Sequence, residues 1–379
     1  MKSKIYLYTK DWNTPLDGSL DSTDTLVTVF FDSDLQKVDS CLEEIKEKFP
    51  LSTIIGASSS GEIFQDEVYE DSISVSIMKF EKTKLKHFVK ENLTPENSYD
   101  TGLSLAKTLY SDDLAGVFIL SEGLTLNGSY LTEAISSIIP SSIPVTGGLA
   151  GDKANFVNTW VIANGSICEN AICAIGFYGE NLHYEHAFKG GLDSLGLKRV
   201  ITKSKENVVY EIDNKPALEI YKRYLGEKAA ELPISGLFFP LEVRQEGSGE
   251  SKIRTLLAID EEKNSIIFAG NVPEGSVVTL MKANTNRLIN GAEEAAETLN
   301  LSDYDGNGDI VCLAVSCVGR RLVLKSRTEE ELEAVLDVLP SQTKQIGFYS
   351  YGEISPLKSG KCDLHNQTMT LTLLWESDA

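Results

Sequence analysis

The pattern of apolar and polar positions divides the chain into short buried strands that alternate with amphipathic helices. Thr25 to Phe31 is a short β-branched and aromatic run, which is typical of a buried strand. A helix is predicted to follow, because Leu42, Ile45 and Phe49 recur at helical spacing. Ser52 to Gly56 then predicts the next strand. The same order of strand, helix and strand is found again further along the chain.

Each of these units is predicted to end in a glycine loop. The first loop, Gly56–Glu62, and the third, Gly347–Glu353, share Ile-Gly, four residues and then Gly-Glu-Ile. A looser second loop, Gly147–Asp152, keeps the last glycine and the acid at the same spacing. Glycine permits tight bends and close approach of other groups, and a neighbouring acid can point into that approach. We therefore expect the three loops to converge on one cleft.

The length of 379 residues favours two domains or a duplicated one, because a single core rarely grows that large. Periodicity lapses and charge rises around Lys198 to Asn207. The sequence thus predicts an α/β fold with two related halves of mixed β-sheets and flanking helices. The predicted divisions are an amino-terminal extension at 1–24, a first α/β domain at 25–205 and a second at 206–379.

Local sequence signals predict a hairpin, a strand and a long helix. Asn164-Gly165 between two apolar runs predicts a β-hairpin. Gly236 to Phe239 is read as a strand from its apolar run, and Thr285 to Leu299 as a long helix from Leu288 and the alanines that follow at helical spacing.

Composition excludes several classes of function. The net charge of −21 is spread along the chain, which disfavours nucleic acid and anionic membranes as partners. No run of eighteen apolar residues predicts a membrane span, and polar residues interrupt the start before a signal peptide develops, so a cytoplasmic protein is expected. The six cysteines contain no CxxC pair and are interpreted as buried small hydrophobic residues.

No metal or cofactor is predicted. Asp303 to Asp309 imitates the start of a calcium loop, but Ala314 occupies the position of the bidentate glutamate. His183 and His186 lack the glutamate frame of a zinc enzyme. Both segments are interpreted as surface features.

Five motifs together resemble the FIST sensory domain with its amino- and carboxyl-terminal halves. The resemblance covers roughly Leu26 to Leu374, and the motifs occur in the order of the family. They are Gly56 to Ile63, Gly147 to Asp152, Tyr210 to Leu218, Ser316 to Arg320 and Gly347 to Ile354, the last followed by Asn366 and Thr368. Ala57 and Ser350 depart mildly from the pattern, which often has cysteine and threonine there.

The resemblance implies a signal-input module of bacterial signalling that binds a small ligand, with amino acids and related metabolites among the candidates. It implies no catalytic residues. The chain has no kinase, cyclase or methyl-accepting segment, so its output is expected to pass through a downstream signalling protein.

The candidate ligand-binding residues lie in the glycine loops and in the matching motifs. The acids are either capping groups of structural turns or carboxylates that take a ligand ammonium, with metal binding a third reading. Arg320 and Arg244 are candidates for a ligand carboxylate, and Cys317 is either a thiol sensor or a buried cysteine. The full set is Ser58, Ser59, Ser60, Gly61, Glu62, Glu122, Gly147, Gly148, Gly151, Asp152, Arg244, Cys317, Arg320, Tyr351, Gly352, Glu353 and Asn366.

Two other classes of function stay open at this level. An enzyme, a hydrolase or lyase, could use Glu62 and Glu353 as an acid–base pair if burial separates their pKa values. A scaffold would instead only pair with another protein.

Overall fold

Residues 1–245, 247 and 249–377 are described by the computed structural model. Within them, the strands form three six-stranded mixed sheets and one larger sheet, and helices flank the sheets. The α/β class and the repeated strand–helix–strand–glycine-loop unit are confirmed. No helix in this part of the chain has the length and apolarity to cross a membrane.

The first unit contains the two strands that the apolar pattern predicted, and the structure pairs them in parallel. Its helix begins after Asp34, whose carboxylate caps the main-chain N–H of Gln36, and it buries Val38, Leu42 and Ile45 against the sheet. Its elements are β1 Lys2–Tyr8, β2 Thr25–Asp32, α1 Leu35–Lys48, β3 Thr53–Ser59, β4 Glu62–Phe64, β5 Glu67–Tyr69 and β6 Ile73–Lys79.

The second unit repeats this order, with an additional helix before its parallel pair. The hairpin predicted at Asn164-Gly165 is confirmed, and both residues have the positive φ that such a tight turn requires. The elements are β7 Lys84–Lys90, α2 Ser98–Leu109, β8 Leu114–Ser121, α3 Gly128–Ser136, β9 Val145–Leu149, β10 Val161–Ala163, β11 Ser166–Cys168 and β12 Ile172–Tyr178.

The third unit begins with β13 Leu182–Lys189 and resumes after a large insertion. The predicted long helix is present as α5, which ends two residues before its expected end. The later elements are α5 Thr285–Glu297, β23 Val311–Cys317, α6 Val318–Leu324, α7 Glu330–Val338, β24 Lys344–Ser350, β25 Gly352–Pro356, β26 Cys362–His365 and β27 Met369–Glu376.

The insertion, residues 192–283, forms the larger sheet, in which nine described strands pair. The predicted boundary at residues 205 and 206 falls between two of its strands, and the division into domains stays a prediction. The elements are β14 Leu192–Ser194, β15 Arg199–Lys205, β16 Val208–Ile212, β17 Lys215–Pro216, α4 Ala217–Leu225, β18 Leu241–Arg244, β19 Lys252–Arg254, β20 Leu256–Asp260, β21 Ser265–Phe268 and β22 Val277–Ala283.

The prediction of a strand at Gly236 to Phe239 is wrong. Ile234–Phe238 is a 3₁₀ helix that packs beside the insertion's sheet. Short apolar runs do not separate strand from helix by periodicity alone, and the segment lies between Pro233 and Pro240.

The three units exchange hairpins around a ring. The strands β4 and β5 of the first unit extend the sheet of the third, where β4 pairs with β24. Likewise, β25 and β26 of the third unit extend the second sheet through β9, and β10 and β11 of the second extend the first through β3. Each sheet is therefore completed by strands from a neighbouring unit.

The inner faces of the three sheets share one apolar core. Leu26 and Phe30 of the first unit, Phe118 of the second and Val315 and Phe348 of the third belong to this core. The rings of Phe30 and Phe348 stack with centroids 4.9 Å apart. Helices cover the outer faces, so the carboxyl ends of the parallel strands are left to carry polar loops.

Candidate functional site

The three glycine loops meet at the carboxyl ends of β3, β9 and β24, although Gly56, Gly147 and Gly347 lie within these strands rather than in turns. The main-chain N–H of Ser60 donates to the carbonyl oxygen of Tyr349 at 2.8 Å, and that of Gly151 donates to the carbonyl oxygen of Ser58 at 2.9 Å. The N–H of Tyr351 donates to the carbonyl oxygen of Leu149 at 3.1 Å. The first loop thus contacts both of the others, and the second contacts the third.

Glycines permit this close approach. A Cβ atom on Gly151 would lie 2.5 Å from the Ser60 hydroxyl oxygen, and one on Gly61 would lie 2.8 Å from the Arg321 guanidinium. Gly61 also has a φ of +134°, which L side chains rarely adopt. Gly147, Gly148 and Gly352, which are also candidate site residues, have similarly close neighbours. These neighbours belong to other parts of the sheets.

Glu62 and Glu353 occupy matching buried positions with matching partners. Glu62 accepts from the hydroxyl of Ser59 at 2.5 Å and from that of Ser72 at 2.8 Å. Glu353 accepts from the hydroxyl of Ser350 at 2.7 Å and from that of Thr368 at 2.8 Å. Both carboxyl groups are bonded within their own units.

Burial raises the pKa of Glu62 and of Glu353 to about 7, although the hydroxyl donors act in the opposite direction. The cause is desolvation, since Glu62 is 1% exposed and Glu353 is fully buried. Neither side chain borders a described cavity. Their assignment as ligand carboxylates stays a prediction.

Asp152 and Glu122 hold loop backbone. Asp152 accepts from the main-chain N–H groups of Phe156, Val157 and Asn158 and from the hydroxyl of Tyr351. Glu122 binds the N–H groups of the three residues from Leu124 to Leu126. These are the contacts of capping carboxylates.

Most other candidates are engaged in internal contacts. Ser58 donates to the carbonyl oxygen of Gly151 at 2.8 Å, and Asn366 accepts from the N–H of Thr255 at 3.3 Å. Cys317 is buried, and desolvation raises the pKa of its thiol, which opposes thiolate chemistry. Arg244 is exposed at the end of β18, on the insertion.

Arg320 is fully buried in an ion pair. Its guanidinium donates to Glu331 at 2.7 Å and 2.9 Å and to the carbonyl oxygens of Gly190 and Leu288, both at 2.7 Å. Glu331 also accepts from the hydroxyl of Tyr349 at 2.7 Å. This arginine therefore holds α6 and α7 on the third sheet.

A cavity of 510 Å³ opens beside the first glycine loop. Ser60 and Glu70 of the first unit and Lys153 of the second form one side. Residues of α6 and the segment after it form the other, among them Val318, Arg321, Leu322, Lys325, Thr328 and Glu329. The cavity is therefore lined by all three units.

Ser60 is the predicted site residue that lines this cavity. Its side chain is buried, and its hydroxyl has no hydrogen-bond partner among the described residues. A buried hydroxyl without a hydrogen-bond partner is energetically costly.

Arg321 bridges the cavity wall and the first glycine loop. Its guanidinium donates to the carbonyl oxygen of Ser60 and to the carboxylate of Glu70, and it lies 5.8 Å from the centre of the Tyr349 ring. Unlike the side chain of its neighbour Arg320, the Arg321 side chain is 20% exposed.

Lys153 lies on a strained loop. Lys153, Ala154 and Phe156 all have φ between +56° and +65°, which is uncommon outside glycine and concentrates at functional sites. The ammonium of Lys153 is 2.6 Å from Asp32 and 2.8 Å from Asp71. Sequence reasoning missed Lys153 and Arg321, although each directly follows a residue of a recognised motif.

No described group of histidine, cysteine or acidic residues is arranged to hold a metal ion. The chemistry of the cavity is that of cations, carboxylates and hydroxyl groups.

Comparison with known proteins gives a family for nearly the whole chain. A model of the FIST N domain matches residues 25–215, and a model of the FIST C domain matches residues 217–356. An uncharacterized protein of Methanocaldococcus jannaschii is 23% identical over 353 residues, which cover 84% of this chain and 67% of that protein. A crystal structure of the cyanuric acid hydrolase from A. caulinodans aligns with 78% of this chain and 99% of its own, at 10% identity. Its TM-score of 0.19 is too low to carry an argument.

Proposed function

Because the chain belongs to the FIST family, whose domains are sensory domains of signal transduction, we propose that it senses a small acid-bearing ligand in the 510 Å³ cavity. The ligand class that fits best is an amino acid or a related metabolite. The bound state is passed to a separate signalling protein.

The observation that carries this proposal is the buried, unpartnered hydroxyl of Ser60 beside two cationic side chains. Arg321 and Lys153 line the same cavity, in a protein whose net charge is −21. A guanidinium pairs well with a carboxylate, and an ammonium adds charge without fixed geometry. A ligand carboxylate placed there would also accept a hydrogen bond from Ser60.

Acidic side chains offer a place for a ligand ammonium. Glu329 and Glu70 line the cavity together with the cations. Among the described residues, the Glu329 carboxylate makes only a long contact of 3.4 Å to the N–H of Val68. Val318 and Leu322 supply apolar wall for a short side chain. Each side of the cavity carries both a cation and a carboxylate, and a zwitterion requires charges of both signs within reach.

Binding would also connect the two family domains. Ser60, Glu70 and Lys153 belong to the region matched by FIST N, and Arg321 and Glu329 to the region matched by FIST C. A ligand that contacts both regions stabilises the arrangement of the regions to which it binds more tightly. Ligand binding would thereby change the arrangement of the two regions, and a partner protein would recognise that change.

We expect Arg321→Ala to weaken ligand binding about tenfold or more, because it removes a charge-assisted hydrogen bond. The ligand is first sought by a thermal-shift screen of the twenty amino acids and common dicarboxylates, and its affinity is then measured by calorimetry. Arg327→Ala is the matched control, since Arg327 is exposed, pairs with Glu330 and does not line the cavity.

A stabilising ligand that binds wild type and Arg327→Ala alike but Arg321→Ala weakly would support the proposal. Equal affinity in all three proteins would place the ligand elsewhere. Turnover of the ligand would favour an enzyme, and a screen without any stabilising compound would favour a scaffold.

A further inference from the structure

A second cleft, of 550 Å³, lies between the second unit and the inserted sheet. One wall is the solvent side of α3, with Ser129, Glu133 and Ser136. The opposite wall contains Arg254 of β19, and the loop that ends at Lys361 borders the cleft. This cleft shares no lining residue with the cavity beside the first glycine loop.

Arg254 gives the cleft a buried cation. The residue is 1% exposed, and its guanidinium donates to the carbonyl oxygens of Ile253, Asn271 and Leu364 at 3.0 to 3.1 Å. The nearest carboxylate oxygen, of Asp363, is 3.9 Å away, beyond hydrogen-bonding distance. Burying a charge without a hydrogen-bonded counterion is unfavourable, so this guanidinium favours an incoming anion.

The surrounding backbone is shaped to admit this side chain. Gly270 has a φ of +129°, and a Cβ atom there would lie 2.9 Å from Nε of Arg254 and 3.1 Å from the hydroxyl oxygen of Ser129. Ser129 in turn accepts from the N–H of Asn271 at 3.0 Å. The guanidinium is thus held at the contact between the inserted sheet and α3.

The charges around Arg254 leave room for an acid group. Asp363 is already paired with Lys252. Lys361 is exposed at the rim and makes no ion pair with any described residue.

Glu133 faces the cleft from α3 and is exposed, so its charge acts through solvent. Glu250 also lines the cleft, and its carboxylate accepts from the main-chain N–H and the hydroxyl of Ser359 at 2.8 and 3.0 Å. Among the described residues, the lining cations that have no hydrogen-bonded carboxylate are therefore Arg254 and Lys361.

We propose that this cleft is a second binding site, for a small molecule that carries a carboxylate or a phosphate group. The acid group lies between Arg254 and Lys361, and the body of the ligand lies along the hydroxyl groups of α3. The site joins the inserted sheet to the second unit, and so differs in position and lining from the sensory cavity.

The test uses the full chain carrying Arg321→Ala, so that binding in the first cavity is weakened. Inorganic phosphate and succinate are titrated calorimetrically at constant ionic strength. We expect saturable binding of at least one of them. Lys361→Glu should weaken it about fivefold, and Glu133→Lys should strengthen it by a similar factor, because both act on an exposed charge near the anion. Lys358→Glu is the matched control, since it makes the same charge change in the same loop without lining the cleft.

Binding of phosphate alone, of succinate alone or of both identifies the acid group and supports the site if the variants respond as described. Equal effects of Lys361→Glu and Lys358→Glu would show that the anion is attracted by the general charge of the loop rather than bound in the cleft. That result would overturn the proposal. If neither anion binds, the proposal is overturned as well. None of these outcomes depends on whether the sensory cavity takes an amino acid.

Discussion

Replacing Arg320 by alanine is expected to lower the free energy of unfolding by about 3–5 kcal/mol. The change leaves the carboxylate of Glu331 buried without its cation and removes donors from the carbonyl oxygens of Gly190 and Leu288. Both members of the pair are fully buried, so solvent cannot compensate. Urea denaturation followed by circular dichroism measures the loss.

Arg327→Ala is the control for this prediction, because Arg327 also pairs with a glutamate but both side chains are about 40% exposed. It should cost less than about 1 kcal/mol. A double variant, Arg320→Met with Glu331→Leu, should recover much of the loss, since neither charge is then left alone. A loss below about 1 kcal/mol for Arg320→Ala would contradict the structural role and return Arg320 to the candidates for ligand binding.

Replacing Glu353 by glutamine is expected to stabilise the protein at pH 8 by about 3 kcal/mol and to change little at pH 5. Burial raises the pKa of this carboxyl from 4.5 to about 7. The native state therefore binds the proton more tightly than the unfolded state. The resulting stability is fully present below the unfolded pKa and is lost as pH rises through about 7.

Glutamine reproduces the protonated form. Its carbonyl oxygen can accept from Thr368, and its amide can donate to the hydroxyl of Ser350. Glu62→Gln should behave in the same way, because Ser59 and Ser72 provide matching partners. The measurement is the free energy of unfolding of each variant and of wild type across this pH range.

The control for the pH prediction is Glu122→Gln. That carboxylate is also buried, but within the described part of the chain it accepts only from main-chain N–H groups. The NH₂ group of a glutamine there would face these N–H donors, so the variant should be less stable at both pH values. If wild type and Glu353→Gln show parallel pH profiles, the carboxyl is ionised in the native state throughout, and the prediction fails.

The local parts of this fold could be predicted from sequence because their causes are local. The strand before Gly56, the helix through Leu42 and Ile45 and the hairpin at Asn164-Gly165 depend on residues within a few positions of each other. The spacing shared by the glycine loops indicated the repeated unit for the same reason. All of these appear in the structure.

The exchange of hairpins could not be predicted, because it joins residues that are distant in sequence. Nothing near Glu62–Phe64 indicates that this strand pairs with Lys344–Ser350 rather than with the strands of its own unit. Pairing partners on an open sheet edge are set by the whole assembly, and the local pattern specifies only that a strand exists.

The three glycine loops meet as the sequence analysis expected, but their role as a ligand site stays a prediction. Which of Arg320 and Arg321 lines the cavity depends on the direction in which each side chain points from α6. Successive helical residues differ by 100° in direction, so one is buried against α7 while the other borders the cavity. A motif that ends at Arg320 contains no signal for this difference.

The ring of exchanged hairpins makes the three units mutually dependent for folding. A fragment of residues 25–215 would leave β4 and β5 without β24, and would leave β9 without β25. A fragment of residues 217–356 would lack β27, the antiparallel neighbour of β23. Unpaired strand edges invite aggregation, so fragments cut at the family boundaries are poor choices for expression. Two pieces produced together can still be tested for reassembly, and the recovery of a folded complex from such complementing pieces would report how far the ring closes as a whole.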